Sequence, residues 1–394
     1  MKILIINSVC GVGSTGKIVV DLAKDFIKNG DKCVIAYGRE KAPKEYESFS
    51  YRIGNDLTVR INGIKARLFD NEGFNAKSET KEFLKWADEY NPDLVWLHNL
   101  HGYYINVELL FNWLKSKSNL KVKWTLHDCW AFTGHCTYFT YAKCEKWRIQ
   151  CENCPQKGNY PESFVKDNSS RNYAKKKDIF CNVKDLEIVT PSIWLKDLVK
   201  TSFLKENKVE ITRNRIDRNI FKPTKSDFRK KYHLENKIIL LGVANIWEER
   251  KGLNDFIELS KYLDDRYKIV IVGKVNKKIK NKNSEKILFF GRTRNSYELA
   301  KLYSAADIFL NLTHEDNYPT VNLEAKACGT PVVTYKIGGG FEGLGKDGMI
   351  VNNNIDELYK AVKEYIESRK KLVLSNNQTN IDNREKNEHI KRNN

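Results

Sequence analysis

Short apolar runs alternate with longer amphipathic segments along most of the chain. In the first half, "KILIIN" is followed by "GKIVVDLAKDFIKNG" and "KCVIAYG", and the alternation continues through "DLVWLHN", "VELLFNWLKSK", "VKWTLHD" and "LEIVTPS". Short apolar runs bounded by turn residues are typical of buried parallel strands, whereas the longer segments have helical periodicity. The pattern predicts a mostly parallel sheet with helices on both faces.

The same alternation starts again after the polar segment "TRNRIDRNIFKPTKSDFRKKYHLENK". The predicted strands are "IILLGVA", "YKIVIVG", "KILFFG", "DIFLNLT" and "PVVTY", and helices are predicted at "GLNDFIELSKYL", at "SYELAKLYSAA" and from about Thr320. Two such series predict an α/β protein with two doubly wound, Rossmann-like domains, which we assign to residues 1–222 and 223–371. A ligand is expected in the cleft between them, beyond the carboxyl ends of the strands.

Residues 372–394 break the pattern, because they are rich in Asn, Lys and Glu and poor in apolar side chains. They are predicted to be a disordered tail.

The composition indicates a folded, strongly basic protein. Hydrophobic residues make up 41% of the 394, and 68 Lys and Arg residues face 50 acidic ones, which gives a net charge of +18. Such an excess favours an anionic partner: nucleic acid, an acidic membrane surface or a phosphorylated small molecule. Because the basic residues are spread along the chain without an arginine-rich arm, we expect no nucleic-acid partner.

The first residues, "MKILIINSVCG", lack the apolar core and the cleavage site of a signal peptide. No apolar run approaches the roughly 18 residues that span a bilayer. We therefore expect a cytoplasmic protein whose basic surface can bring it to the inner face of the membrane. Thiols in that compartment stay mostly reduced.

A glycine turn follows the first predicted strand. Gly11, Gly13 and Gly16 in "CGVGSTGK" open the first predicted helix, where backbone N–H groups face any bound anion. Gly11 and Gly13 are therefore candidates for contact with a diphosphate or a sugar, and the alternative is that glycine only turns the chain. The second strand ends in "VIAYGRE" without the acid of a dinucleotide site, which argues against NAD.

Three histidines follow predicted strand ends. His98 and His101 lie in "WLHNLHG", and His127 lies in "TLHDCW". Because carboxyl ends of parallel strands face the ligand, one or more of these rings is a candidate for contact with substrate. The alternative for each is a hydrogen-bonded structural role.

Four cysteines crowd an insertion that we place at residues 129–154. They are Cys136, Cys144, Cys151 and Cys154, and the last two form a C-x-x-C pair. In a reducing compartment this clustering predicts a structural Zn²⁺ site with all coordination positions filled. Two disulfides, or buried thiols alone, are the alternatives.

The stretch "HEDNYPTVNLEAKACGTPVV" separates Asp316 from Glu324 by seven residues. If a strand ends before it and a helix begins near Thr320, Asp316 lies in the loop and Glu324 in the first turns. The N–H groups of Thr320, Val321 and Asn322 then have no partner within the helix and can bind a phosphate. With one acid for sugar hydroxyls and one for ribose hydroxyls, the stretch has the outline of a nucleotide-sugar site.

This stretch resembles the acid, seven residues, Glu signature of the retaining glycosyltransferases of family four, which have the two-domain GT-B fold. The family usually has Glu where this chain has Asp316, and Glu315 stands just before it. "GSTGKIV", "TLHDCW", "VTPSIWL" and "GTPVVTYKIGG" resemble further segments of the family, so the resemblance covers roughly residues 1–355. The cysteine insertion resembles that of bacterial enzymes that build surface polysaccharides.

The resemblance implies transfer of a sugar, with retention, from a nucleoside-diphosphate sugar of the UDP or GDP type to a glycan or lipid-linked acceptor in cell-surface polysaccharide biosynthesis. It implies that Arg250 and Lys251 neutralise the diphosphate and that Glu324 holds the ribose. Such folds generally need no catalytic metal because protein cations replace it, so the zinc would be structural.

It also implies that Asp316 or Glu315 orients the sugar and that His127 approaches it from the first domain. Two alternatives remain at this point. One is a nucleotide-sugar epimerase of the same fold, and the other is a non-catalytic polyanion-binding protein.

Overall fold

The computed structural model describes residues 1–283, 285–345 and 348–369. The chain divides into two compact units. The first contains residues 1–216 together with 315–320 and 338–342, and the second contains 217–314, 321–337 and the described residues between 343 and 369. The division falls at 216/217, whereas the sequence placed it at 222/223. The predicted tail, 372–394, lies outside the described residues.

The first unit is built on a seven-stranded parallel sheet in the order β3-β2-β1-β4-β5-β6-β7. Its strands are β1 (Lys2–Asn7), β2 (Lys32–Tyr37), β3 (Ser50–Arg52), β4 (Leu94–Leu97), β5 (Lys121–Thr125), β6 (Leu186–Thr190) and β7 (Lys208–Ile211). The connecting helices are α1 (Gly13–Lys28), α2 (Asp56–Phe69), α3 (Lys77–Tyr90), α4 (Val107–Lys115), α5 (Ser169–Phe180) and α6 (Ile193–Lys200).

The second unit has a six-stranded parallel sheet in the order β10-β9-β8-β11-β12-β13. Its strands are β8 (Ile238–Ile246), β9 (Tyr267–Lys274), β10 (Ile287–Gly291), β11 (Ile308–Asn311), β12 (Val332–Tyr335) and β13 (Met349–Val351). Its helices are α7 (Phe228–Lys231), α8 (Leu253–Tyr262), α9 (Lys277–Lys282), α10 (Ser296–Ala305), α11 (Thr320–Ala327) and a helix over 355–369.

The central strands are apolar along their whole length because helices cover both faces of each sheet. Ile3 to Ile6 of β1 are fully buried, and so are Val19 and Ala23 on the inner side of α1. Continuous apolar runs of this kind distinguish buried parallel strands from half-exposed antiparallel ones. The prediction of two doubly wound sheets is confirmed.

Polar residues at the helix starts fix where several helices begin. The Asn55 side chain accepts hydrogen bonds from two backbone N–H groups at the start of α2, and the Ser192 hydroxyl accepts one, from Leu195 N, at the start of α6. Glu342, from the 338–342 segment of the first unit, adds its carboxylate to the N–H groups of Ile193 and Trp194, each at 2.8 Å. These bonds satisfy N–H groups that have no partner inside a helix.

In each sheet the strand order reverses beside the first strand of the unit. This happens between β1 and β4 in the first unit and between β8 and β11 in the second. Ligands of doubly wound sheets bind at such a reversal, outside the carboxyl ends of the strands. Functional side chains are therefore expected in the loops that follow these four strands.

Candidate functional site

The glycine turn follows β1. Gly11 and Gly13 have φ values of +71° and +66°, which L side chains rarely adopt. A Cβ on Gly11 would lie 2.6 Å from the Tyr46 ring. The Gly11 N–H already donates to Gly16 O at 3.0 Å. Gly11 thus serves the turn itself, whereas Gly13 opens α1 with no heavy atom within 4 Å of its would-be Cβ. Of the two predicted contacts, Gly13 has room for a ligand.

Two of the three candidate histidines form a pair. His98 follows β4 and His127 follows the adjacent β5, and His98 Nδ1 lies 3.0 Å from His127 Nε2. Burial lowers the pKa of His127 to about 4 and that of His98 well below its usual range. Both rings are therefore neutral near pH 7, and His127 can meet a ligand as a hydrogen-bonding group, not as a cation.

His101 has a different environment. Its Nε2 lies 2.8 Å from Asp128 Oδ2 and its Nδ1 lies 3.0 Å from the Tyr160 hydroxyl. Because both ring nitrogens have partners within the protein, the structural alternative fits this residue.

The segment 315–320, which carries the first acid of the signature, belongs to the first unit. Glu315 is buried, and its Oε1 accepts hydrogen bonds from Tyr141 N at 2.5 Å and Thr140 Oγ1 at 3.1 Å. Asp316 is only half-buried. Of the two acids that the sequence left open, Asp316 is the one exposed enough to meet a ligand.

Asn317 connects this segment to the end of β5. Its Nδ2 donates to the backbone carbonyl of His127 at 3.1 Å, and its Oδ1 accepts from Ser192 Oγ. The sequence analysis missed this residue. Its only signal there was a place beside Asp316 in a polar loop, and the bond partner lies 190 positions away.

Two glycines of "KIGGG" allow a close approach to the same segment. A Cβ would lie 2.5 Å from Asp316 O at Gly338 and 2.1 Å from Asn317 O at Gly339. Further along, Thr320 Oγ1 is 3.3 Å from Ser14 Oγ, in the first turn of α1. Close backbone contacts therefore fix the position of the loop that carries Asp316. The end of this segment, at Thr320, lies beside the glycine turn.

In the second unit, the predicted phosphate-binding cations lie in a short 3₁₀ turn after β8. Arg250 O accepts hydrogen bonds from Thr313 Oγ1 at 3.2 Å and His314 N at 2.7 Å, at the end of β11. Gly252 permits this contact, because a Cβ there would lie 2.0 Å from Leu312 O. The basic turn is thus attached to the loop that precedes α11.

Two of the three side chains of the turn, Arg250 and Lys251, are half-buried and basic, whereas Glu249 is exposed. Arg250 Nε lies 3.2 Å from Glu248 Oε2, so an anion that approaches Arg250 competes with an exposed carboxylate. Lys251 is the next residue and is also half-buried.

Glu324 and Asn322 lie on the buried side of α11. Tyr303 OH donates to Glu324 Oε2 at 3.0 Å, and Asn311 Nδ2 donates to Asn322 Oδ1 at 2.9 Å. Burial, followed by the Glu324 charge, raises the pKa of Tyr303 well above its usual range, so the hydroxyl stays protonated and donates. Glu324 is thus a carboxylate oriented by a protein donor, in the second turn of the helix as predicted.

The four cysteines of the insertion are free thiols that border one small cavity of the first unit. Within residues 1–283, 285–345 and 348–369, no three His, Cys, Asp or Glu side chains already stand in metal-binding geometry.

No helix among the described residues is long and apolar enough to cross a bilayer.

The sequence is similar to known proteins over both units. Residues 224–385 match the family model described as "Glycosyl transferases group 1". A provisionally described colanic acid biosynthesis glycosyl transferase of Escherichia coli K12 is 24% identical over 360 residues, which is 88% of this chain and 86% of that protein.

Solved structures share the fold at low sequence identity. Sucrose-phosphate synthase from Thermosynechococcus elongatus has a TM-score of 0.67 at 15% identity and covers 93% of this chain and 90% of its own. The Anabaena protein HepE in complex with UDP-glucose has a TM-score of 0.62 at 16% identity, with 94% and 91% covered. The GT-B fold predicted from the sequence is confirmed.

Proposed function

We propose that this chain, a glycosyltransferase with the GT-B fold, transfers a sugar from a nucleoside-diphosphate sugar to a glycan or lipid-linked glycan, with retention of the anomeric configuration. One observation carries the proposal. In the second unit, the basic turn after β8 and the acid-bearing helix after β11 follow adjacent strands at the reversal of strand order. This is where doubly wound sheets bind nucleotides.

The donor diphosphate is assigned to Arg250, Lys251 and the start of α11. A departing diphosphate gains negative charge in the transition state, and fixed cations and N–H dipoles stabilise that charge without a metal ion. Thr320, Val321 and Asn322 form the first turn of α11, and the backbone N–H groups at the start of a helix are a common binding site for phosphate.

Glu324 is assigned to the ribose hydroxyls. A buried carboxylate whose Oε2 accepts from Tyr303 is held in one orientation and can accept further hydrogen bonds. Hydrogen bonds from hydroxyls to a charged acceptor contribute about 1.5–3 kcal/mol.

The transferred sugar is assigned to Asp316 and His127. Asp316 is half-buried, and Asn317 beside it holds the His127 carbonyl. His127 Nε2 already has His98 Nδ1 as its partner at 3.0 Å. The other ring nitrogen, His127 Nδ1, is therefore assigned to a hydroxyl of the sugar. Gly13 is assigned a position close to the donor.

The acceptor and the donor base are assigned from the similar proteins and from the charge of the chain. The E. coli relative acts, by its name, in colanic acid biosynthesis, which supports a role in cell-surface polysaccharide biosynthesis. The UDP-glucose complex of the Anabaena protein favours UDP over GDP as the nucleotide. The net charge of +18 favours a lipid-linked acceptor at an anionic membrane surface.

The first test is thermal stabilisation of the full chain by UDP, GDP, ADP and their glucose, galactose, mannose and N-acetylhexosamine conjugates. One nucleotide should raise the melting temperature. Glu324→Gln should weaken its binding about 10- to 100-fold, because the charged acceptor is lost while Tyr303 keeps a hydrogen-bond partner.

Glu258→Gln is the matched control, because Glu258 is a helical acid that pairs with Lys261 away from the proposed site. Equal binding by Glu324→Gln and the control would contradict the assignment of Glu324. The absence of stabilisation by every nucleotide, in a protein that is folded, would contradict the proposed function.

The reaction itself is tested with the donor identified in this way. Release of the nucleoside diphosphate should be slow in water and should accelerate when a membrane extract from a polysaccharide-producing bacterium supplies acceptors. Asp316→Asn should slow it at least 100-fold with little change in nucleotide binding. Retention predicts a product with the anomeric configuration of the donor, which NMR can determine. Inversion at the sugar would contradict that part of the proposal.

A further inference from the structure

A thiol cluster occupies one small cavity of the first unit, away from the groups assigned above. We define it as the side chains that border this cavity and are potential metal ligands: His135, Cys136, Cys144, Cys151 and Cys154. The sulfurs of Cys136 and Cys154 are hydrogen-bonded, and Cys151 Sγ accepts the N–H of Gly134 at 3.2 Å. Residues far apart in the insertion are thus collected at one point.

His135 gives the cluster a polar atom that needs a partner. The ring is buried, and its Nδ1 lies 2.5 Å from Asp70 Oδ1. Its Nε2 is also buried and has no partner in good hydrogen-bond geometry among the described residues, and the Asn159 carbonyl lies near the ring. A histidine that binds a metal typically donates its other ring N–H to a carboxylate, as His135 does to Asp70.

A buried lysine lies beside the cysteines of the insertion. The Nζ of Lys176 donates to Trp130 O at 2.8 Å and to Thr133 O at 3.0 Å. The same side chain interacts electrostatically with Cys151 and Cys136. A lysine in this position can offset part of the negative charge that thiolates carry once they bind a divalent ion.

We propose that the thiol cluster binds one structural Zn²⁺. Three ligands are the thiolates of Cys136, Cys151 and Cys154, and the fourth is His135 Nε2 or the Cys144 thiolate. Zinc takes four nitrogen and sulfur ligands in closed structural sites, and both ligand sets are among those it accepts. The competing arrangement is a metal-free imidazolium of His135 paired with Asp70.

The metal would act on the site through the segment between Cys136 and Cys144. Thr140 and Tyr141 lie in that segment and donate the two hydrogen bonds to Glu315 Oε1, directly before Asp316. The metal would hold this segment at Cys136, and also at Cys144 where that thiolate is the fourth ligand, and would thereby position Glu315 and the adjacent Asp316. This consequence for transfer rests on the proposed function, whereas the metal site itself does not.

The primary test is the metal content of the full chain, purified under reducing conditions without chelators. Elemental analysis should give about one zinc per chain. Cys151→Ser and Cys154→Ser should lose it, while Cys181→Ser should keep it, because Cys181 donates to Phe203 O outside the cluster. Loss of zinc from His135→Gln, or else from Cys144→Ser, identifies the fourth ligand. Less than a tenth of a zinc per wild-type chain would count against the proposal.

A second measurement avoids variants that fail to fold. Wild-type protein stripped of metal is titrated with Co²⁺, which should produce a thiolate-to-cobalt charge-transfer band that saturates at one equivalent and disappears when Zn²⁺ is added. A flat spectrum, together with ready alkylation of the partly exposed Cys144 and Cys154 in a folded chain, would overturn the metal site. Nucleotide-induced stabilisation, measured on the same sample, shows separately whether the proposed function stands.

Discussion

Individual residues of the site are held in position mainly by partners that lie far away in the sequence. His98 and His127 are 29 positions apart, Glu315 and Tyr141 are 174 apart, and Asp70 and His135 are 65 apart. Strand-end position made both histidines candidates, since carboxyl ends of neighbouring parallel strands meet at one edge. The local pattern did not distinguish His101, whose two ring nitrogens both have protein partners, from His98 and His127. It also did not indicate that Glu315 would be buried. Both outcomes depend on the tertiary packing of the chain.

The buried pair of neutral histidines predicts a loss of stability in acid. Between pH 6.5 and about 4 the unfolded chain binds protons at positions 98 and 127 that the folded chain excludes, so the free energy of unfolding falls as the pH is lowered. Each excluded proton gives a slope of about 1.4 kcal/mol per pH unit. His98→Phe should reduce the slope by about that amount, as measured by urea unfolding at several pH values.

The exposed His233 provides the control. His233→Asn suits its left-handed backbone (φ +54°) and should leave the slope unchanged. Equal slopes in the wild type and in His98→Phe would mean that the pair can be protonated in the folded state.

At the level of elements, the loop between β8 and α8, which carries Arg250 and Lys251, can pack against the end of β11 only because residue 252 is a glycine. Gly252 combines a φ of +76° with a 2.0 Å approach of its would-be Cβ to Leu312 O, whereas Gly291 has a φ of +81° and open space. Gly291→Ala should therefore lower the free energy of unfolding only by the backbone strain, about 1–2 kcal/mol. Gly252→Ala should lower it by at least about 2 kcal/mol more. It should also weaken nucleotide binding, because the turn that carries Arg250 and Lys251 must move.

Urea unfolding of the second unit, combined with nucleotide titration, tests this pair of variants. Similar losses for the two substitutions would mean that the loop accommodates the methyl group and that its contact with β11 is not needed.

The apolar strands were predictable as elements and the polar edge strands were not. β1, β8 and β9 have long apolar runs that identify them in the sequence. β3 (Ser50–Arg52) and β7 (Lys208–Ile211) lie at the two edges of the first sheet and are short and polar, so they lack that signal. The short helix α7 inside the predicted linker was missed for the same reason, since four residues do not establish a period.

For the whole molecule, the two-sheet architecture and the glycosyltransferase assignment followed from the sequence, and the comparisons confirm both. The donor base, the acceptor and retention stay predictions, because loops without a readable pattern determine them. The sequence also did not indicate that the first unit draws residues from three separate stretches of chain. The contacts that join these stretches involve the polar side chains of Glu315, Asn317 and Glu342 together with backbone groups and glycines, and a hydrophobicity pattern carries little information about any of them.

The net charge of +18 leads to a prediction about the membrane. The chain should float with vesicles that contain an anionic lipid, should not float with purely zwitterionic vesicles, and should be released as salt screens the attraction. Bovine serum albumin, an acidic protein, is a suitable negative control for flotation. Binding that is unaffected by salt, or equal for both vesicle types, would count against an electrostatic attachment.

The three-part composition of the first unit also matters while the protein is being made. Translation at roughly 5–20 residues per second would deliver residue 342 about 6–25 s after residue 216. Until then a nascent chain lacks Asn317, which holds the His127 carbonyl, and Glu342, which caps α6. A chain that stops between residues 217 and 316 therefore contains every strand of the first sheet but lacks both Asn317 and Glu342, so such partial products are expected to be inactive and not merely less active.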